Sequence, residues 1–236
     1  ASAHDPNFLL SIELSGEPIE GGEYPGDGGA VNPAAQLYTG PFNLPHSVQL
    51  SARALEGLTW SALNQATWGV GPVKESLRIT ELMYHPADTK LGTDPNTGYI
   101  ELRNTGTETI NLNLVRFTNG IEFEFPALDL AAQQQVLVVQ DIDAFAAVYG
   151  QQEAVLGQYR GRLSRAGERI VLEDALGQSI HDFVYKDGWY DLTDGLGYSL
   201  TLRDPLQTDL QAWSDKSAWR ASAAPNGSPG WDDAGE

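Results

Sequence analysis

The chain has 236 residues, 41% hydrophobic and 19% charged, the balance of a globular protein rather than a disordered one. Acidic residues outnumber basic ones by 32 to 14, and the resulting charge of −18 repels polyanions, which argues against direct nucleic-acid binding. With no cysteine there is no disulfide, thiolate nucleophile or Cys-based zinc site, and no apolar run reaches the roughly 18 residues of a membrane-spanning helix.

Residues 1–6 lack the basic and apolar parts of a signal peptide, so the targeting signal is unreadable and a longer parent chain with further domains is expected. Residues 1–72 carry 7 acids and a single base, Arg53, whereas residues 73–236 carry 25 acids and 13 bases. The two regions meet at residues 69–76, where two glycines and a proline mark a linker. We therefore expect two domains, 1–72 and 73–236.

In the first region, residues 8–14 read as a strand and residues 15–33, rich in Gly, Pro, Glu and Asp, as a long loop. Val48, Leu50, Ala52 and Ala54 alternate with Ser47, Gln49, Ser51 and Arg53, the period of a half-buried strand. Residues 65–70 read as a closing strand, and the whole as a small β-sandwich.

In the second region, strands are expected around Leu77 and Ile79 and around Ile100 and Leu102. Ile121, Phe123 and Phe125 alternate with Glu122 and Glu124 until Pro126 ends the pattern. The continuous apolar run Val136-Leu137-Val138-Val139 predicts a strand covered on both faces. Residues 141–149 predict the one helix: Asp141 can cap it, Ile142, Phe145 and Tyr149 share a face, and Gly150 ends it. Strands follow at 169–173, 179–186 and 198–203, with a hairpin turn at 175–178. The expected fold class is all-β: two immunoglobulin- or fibronectin-like β-sandwiches, the second with one short helix.

The stretches Leu77-Arg78-Ile79-Thr80-Glu81-Leu82-Met83-Tyr84-His85-Pro86, Tyr99-Ile100-Glu101-Leu102-Arg103-Asn104 and Ile110-Asn111-Leu112 come in an order and spacing that resembles the bacterial branch of the lamin tail domain. So do Gly120 to Pro126, Leu163 to Glu168, Asp182-Phe183-Val184-Tyr185, Gly197-Tyr198-Ser199-Leu200 and the closing Pro225-Asn226-Gly227-Ser228-Pro229-Gly230. In the first region, Gln36-Leu37-Tyr38-Thr39-Gly40-Pro41, residues 48–54, Thr59-Trp60-Ser61-Ala62 and Ala66-Thr67-Trp68 resemble a chitobiase/hexosaminidase C-terminal-type β-sandwich, although the acidic turn usual to that family is absent upstream. Both resemblances imply a non-catalytic accessory module of a large exported bacterial protein, secreted or at the cell surface. Its implied partners are proteins or glycans there and the other domains of its parent chain.

Motifs for enzyme chemistry are scarce. The sequence has no Gly-x-Ser-x-Gly elbow, phosphate-binding Gly-x-x-x-x-Gly-Lys loop or His-Glu-x-x-His helix, and its four histidines are isolated. Glu81 and Glu101 could form the carboxylate pair that glycosidase chemistry needs. The structural alternative is that each pairs with a nearby base, Arg78 or Arg103, with strand alternation placing Glu101 on the solvent side.

Asp187, Asp191 and Asp194 lie in a loop dense in Asp and Gly, the candidate site for calcium, which takes six to eight hard oxygens. An ordinary polar loop is the alternative, because Asp and Gly also favour turns. Arg160, Arg162, Arg165 and Arg169 form the basic cluster, suited either to an anionic partner or to internal pairing. Trp189 and Tyr190 could stack on sugar rings or plug the end of the core. The functional expectation is a non-catalytic structural or interaction module, with a calcium-assisted binder of glycan or cell-surface polymer as the alternative and a hydrolase as the distant one.

Overall fold

The computed structural model describes residues 8–13, 36–56, 59–233 and 235. The expected loop at 15–33 lies outside the described residues.

The first region supplies one five-stranded sheet from β1 (Phe8–Glu13), β2 (Gln36–Leu37), β3 (Val48–Glu56), β4 (Thr59–Trp60) and β5 (Asn64–Trp68). The alternating segment becomes β3, which pairs antiparallel with β1, β4 and β5. Alternation does not fully set its burial: Val48 is buried, but so is Ser51 on the opposite parity, where it accepts a hydrogen bond from Gln65 Nε2 at 3.0 Å. A second sheet facing this one, which a sandwich requires, is not found among the described residues.

The stretch read as a linker is hydrogen-bonded from both sides. Residues 73–76 form the short helix α1 (Val73–Ser76). The buried Arg78 guanidinium reaches back to the carbonyls of Lys74, Glu75 and Leu77. Val70 N donates to Ser47 Oγ at 3.0 Å, and the buried Asn113 amide donates to Ser47 O at 2.8 Å. The main hydrophobic cluster nevertheless begins at Val73.

The second region has β6 (Leu77–Met83), β7 (Tyr99–Asn104), β8 (Ile110–Asn111), β9 (Arg116–Asn119), β10 (Ile121–Glu124), β11 (Asp129–Leu130) and β12 (Gln135–Val139). After helix α2 (Ile142–Tyr149) come β13 (Val155–Gln158), β14 (Arg160–Gly161), β15 (Glu168–Glu173), β16 (Ser179–Tyr185), β17 (Leu200–Leu202) and β18 (Trp219–Ala221). A six-stranded sheet, β13-β12-β7-β6-β17-β18, packs against a five-stranded sheet, β14-β10-β9-β15-β16, while β8 and β11 form a separate pair. Ile79, Leu82, Ile100, Leu102, Val136 and Val138 of the first sheet meet Phe117, Ile121, Ile170, Leu172 and Phe183 of the second. Trp213 and Trp219 complete this core, and their indole N–H groups are satisfied by Ile79 O (3.0 Å) and Trp213 O (2.9 Å).

The six-stranded sheet is covered on its outer face as well. Met83, Tyr99, Leu137, Val139 and Phe145 form a second cluster there, with Tyr149 packed on it, so α2 is a third layer. Double coverage explains the unbroken apolar run of β12, whose Val136 and Val138 face one cluster and Leu137 and Val139 the other. Asp141 caps α2 by accepting from Ala144 N at 2.8 Å, and Gly150 ends it with φ 78°. Phe145 is buried and stacks on Tyr149 at 4.4 Å, but Ile142, expected on the same face, is 41% exposed. Ile142 is the first helical residue and is not part of the sheet cluster.

A bulge in β6 sets the register of the outer face. Ile79 pairs with Leu102, yet Glu81 pairs with Glu101, so Thr80 is an extra residue on β6. The core positions therefore run 77, 79, 82, and strict alternation fails at the residue that places Glu81 opposite Glu101.

Candidate functional site

The outer face of β6 and β7 carries Glu81, Tyr99 and Glu101, all buried; Glu101 is only 2% exposed. This corrects the expected solvent-side placement of Glu101. Alternation put the side chain on the correct face, but α2 and the chain after β18 cover that face. The expected ionic partners are absent too. Arg78 is held by backbone carbonyls, and Arg103 Nη1 pairs with Asp232 at 2.7 Å.

Instead the two carboxylates hold the C-terminal segment, residues 226–233, as a strap across the sheet. Glu81 Oε1 accepts from Tyr99 OH and Ser199 Oγ, each at 2.5 Å, and from Ser228 N at 2.9 Å. Its Oε2 accepts from Ser228 Oγ at 2.8 Å. Glu101 Oε1 accepts from Thr80 Oγ1 at 2.6 Å and Gln135 Nε2 at 3.4 Å, and Oε2 from Gly230 N at 2.8 Å. Gly227 sits at φ 71° directly over the site, where a Cβ would overlap the Tyr99 hydroxyl and Glu81 Oε1, so only glycine fits. Farther along, Arg220 Nη1 grips Asp233 at 2.5 Å.

The surroundings act strongly on Glu101. Burial, then the neighbouring Glu81 charge, push the Glu101 carboxyl up to about 8, against partial relief from the Thr80 and Gly230 hydrogen bonds. Burial and the Glu81 charge also raise the Tyr99 phenol well above its ordinary value, so it stays a donor. Such a pair resembles an acid–base couple. Its geometry is that of an anchor: Glu81 accepts four hydrogen bonds and Glu101 accepts three, three of these seven from the backbone and side chain of the strap.

Beside this anchor, between strap and sheet, lies a cavity of about 390 Å³. Its walls include Arg103, Gln135, Thr201, Arg203, Asp232 and the exposed Trp231. Sequence reasoning assigned no role to Trp231 or Arg203. The closing run 225–230 was singled out in the sequence, but its anchoring on Glu81 and Glu101 was not.

The calcium candidates are not brought together. Asp187 Oδ1 accepts from Gly188 N at 2.8 Å, and Asp194 Oδ1 bonds His85 Nδ1 at 2.8 Å, while Asp191 opens a separate helical turn. Among the described residues, no group of three or more His, Asp or Glu side chains is arranged to hold a metal ion. His85 is thus paired rather than isolated. His181 is fully buried, accepts from Ile79 N at 3.2 Å, and is pushed down to about 3 by burial and then by the Arg78 charge.

The basic cluster is largely paired internally. Arg162 bonds Asp94 (3.4 Å), Arg165 bonds Asp88 (2.9 Å) and Asp94 (3.2 Å), and Arg169 makes two bonds of 2.7 Å to Asp182. Trp189 is buried in the main core, and Tyr190 OH donates to Trp219 O at 2.8 Å, so these aromatics close the end of the sandwich.

Residues 72–187 match the lamin tail domain model. The lamin tail match covers just under half of the chain and stops before β17, β18 and the strap, which complete the six-stranded sheet. No curated protein matches the chain. Among solved structures, a DUF4876 family protein from Bacteroides thetaiotaomicron is similar at 13% identity and a TM-score of 0.26. That alignment covers 58% of this chain and 44% of the Bacteroides chain, so the present chain spans less than half of that protein. A likeness of this degree carries no argument about function.

Proposed function

We propose that the chain is a non-catalytic structural or interaction module of a larger exported or cell-surface bacterial protein. In this reading the lamin-tail-like region, 73–236, follows a chitobiase C-terminal-like region, 1–72. The lamin tail match supports the reading. The observation that carries it is the state of the acid pair singled out from the sequence: Glu81 and Glu101 are buried and hydrogen-bonded to the strap, which they anchor. A general acid or nucleophile must reach its substrate within hydrogen-bond distance. Ser228 and Gly230 of the strap compete with any substrate for these carboxylate oxygens.

The test is an assay of the purified chain against chromogenic glycosides, esters, phosphoesters and peptides, alongside Glu81→Gln and Glu101→Gln. No turnover is expected in any arm. Turnover that either substitution removes would overturn the proposal. The sequence of the full-length gene tests the rest, since an export signal and neighbouring domains are expected there.

A further inference from the structure

We propose that the cavity between the six-stranded sheet and the C-terminal strap binds one neutral hexopyranose unit of a surface glycan. This rests on the reading of the chain as an interaction module and names the ligand class. At about 390 Å³ the cavity falls within the range of roughly 300–1,000 Å³ usual for small-molecule sites.

Three features select a sugar. First, Trp231 stands at the rim with 74% of its surface exposed, while the strap fixes its backbone through Trp231 N to Ser228 O at 2.9 Å. An exposed indole on an anchored backbone offers an apolar plate of the kind that the C–H face of a pyranose covers. Second, the walls mix donors and acceptors at close range, as a ring of hydroxyls requires. Arg203 can donate and Thr201 can accept, beside Arg103 and Gln135, which donate to Asp232 at 2.7 and 3.3 Å. Arg103 Nε is buried with no partner among the described residues, and Arg203 is tied to Trp219 O through its Nε at 2.9 Å.

Third, the local charges offset. Arg103, Arg203 and Arg220 stand against Asp232, Asp233 and Glu81, and Glu101 keeps its proton to about 8. The site therefore has no charge preference of its own, and the field of a chain at −18 disfavours acidic sugars. The anchor carboxylates shape the floor and are not assigned to the ligand.

The experiment applies the chain to an array of neutral hexose and N-acetylhexosamine oligomers, with sulfated and uronic glycans alongside, then titrates any hit by tryptophan fluorescence. Saturable binding to a neutral oligomer is expected. Trp231→Ala and Arg203→Ala, both at exposed positions, should each weaken it about tenfold or more. Trp68→Ala, which removes an exposed tryptophan away from the cavity, should leave it unchanged. The site is overturned if no neutral glycan binds, if binding survives Trp231→Ala, or if only acidic glycans bind. Release of reducing sugar would instead overturn the non-catalytic reading and leave the site standing.

Discussion

Glu81 and Glu101 face each other across β6 and β7, and each holds a different residue of the strap: Ser228 on Glu81, Gly230 on Glu101. Two carboxyls side by side in a buried place cannot both ionise cheaply. The structure resolves this by giving Glu81 the hydroxyl donors Tyr99, Ser199 and Ser228, and by raising the Glu101 carboxyl to about 8.

This asymmetry predicts unequal substitutions. Glu81→Ala removes one partner from four buried or partly buried donors and should destabilise the chain by about 3–5 kcal/mol. Glu101→Gln matches the protonated form in shape and charge, and the Thr80 hydroxyl can rotate to accept from the new amide. Its cost should be about 1 kcal/mol or less. Denaturant unfolding of both variants checks the difference; equal losses would contradict it.

Stability should fall on both sides of a plateau in pH. Glu101 has a folded value of about 8 against 4.5 when unfolded, so the folded state holds the extra proton and stability from this group declines as pH rises from 4.5 to 8. His181 is held at about 3 against 6.5, so its contribution is full above 6.5 and is lost as pH falls toward 3. Between 4.5 and 6.5 the two slopes, each at most about 1.4 kcal/mol per pH unit, cancel. Glu101→Gln should flatten the alkaline fall and, with nothing left to cancel the His181 slope, extend the acid fall up to about pH 6.5. NMR should find the His181 ring neutral at pH 5.

Truncation at residue 187, where the family match ends, should prevent folding. It removes β17 and β18 from the six-stranded sheet, together with Trp213 and Trp219, and leaves Glu81 and Glu101 without the strap. Loss of either buried tryptophan alone is worth about 3–5 kcal/mol, a large part of a domain's total stability. Near-UV circular dichroism of chains ending at 187 and at 236 checks this.

Calcium should leave the melting temperature unchanged relative to magnesium or chelator, because Asp187, Asp191 and Asp194 do not converge. Asp194→Ala should cost about 1 kcal/mol or less, since the His85 contact lies at the surface. A calcium-specific rise that Asp191→Ala removes would restore the metal site.

The sequence by itself determined whatever is local. The strand at β3, the period of β10, the double-sided apolar run of β12, the Asp141 cap and Gly150 stop of α2, and the hairpin at 175–178 are each written within a few residues. So was the lamin tail likeness, which depends on the order of short motifs. What tertiary structure decided is which polar residues are hidden and by what. Alternation assigns Glu101 a face but not whether α2 and the strap cover it. The Thr80 bulge that aligns Glu81 with Glu101 leaves no mark in composition. Tyr99, Ser199 and Ser228 converge on one carboxylate from 18, 118 and 147 residues away. Contacts over such separations are set by how the sheet closes, and no local preference of the backbone encodes them.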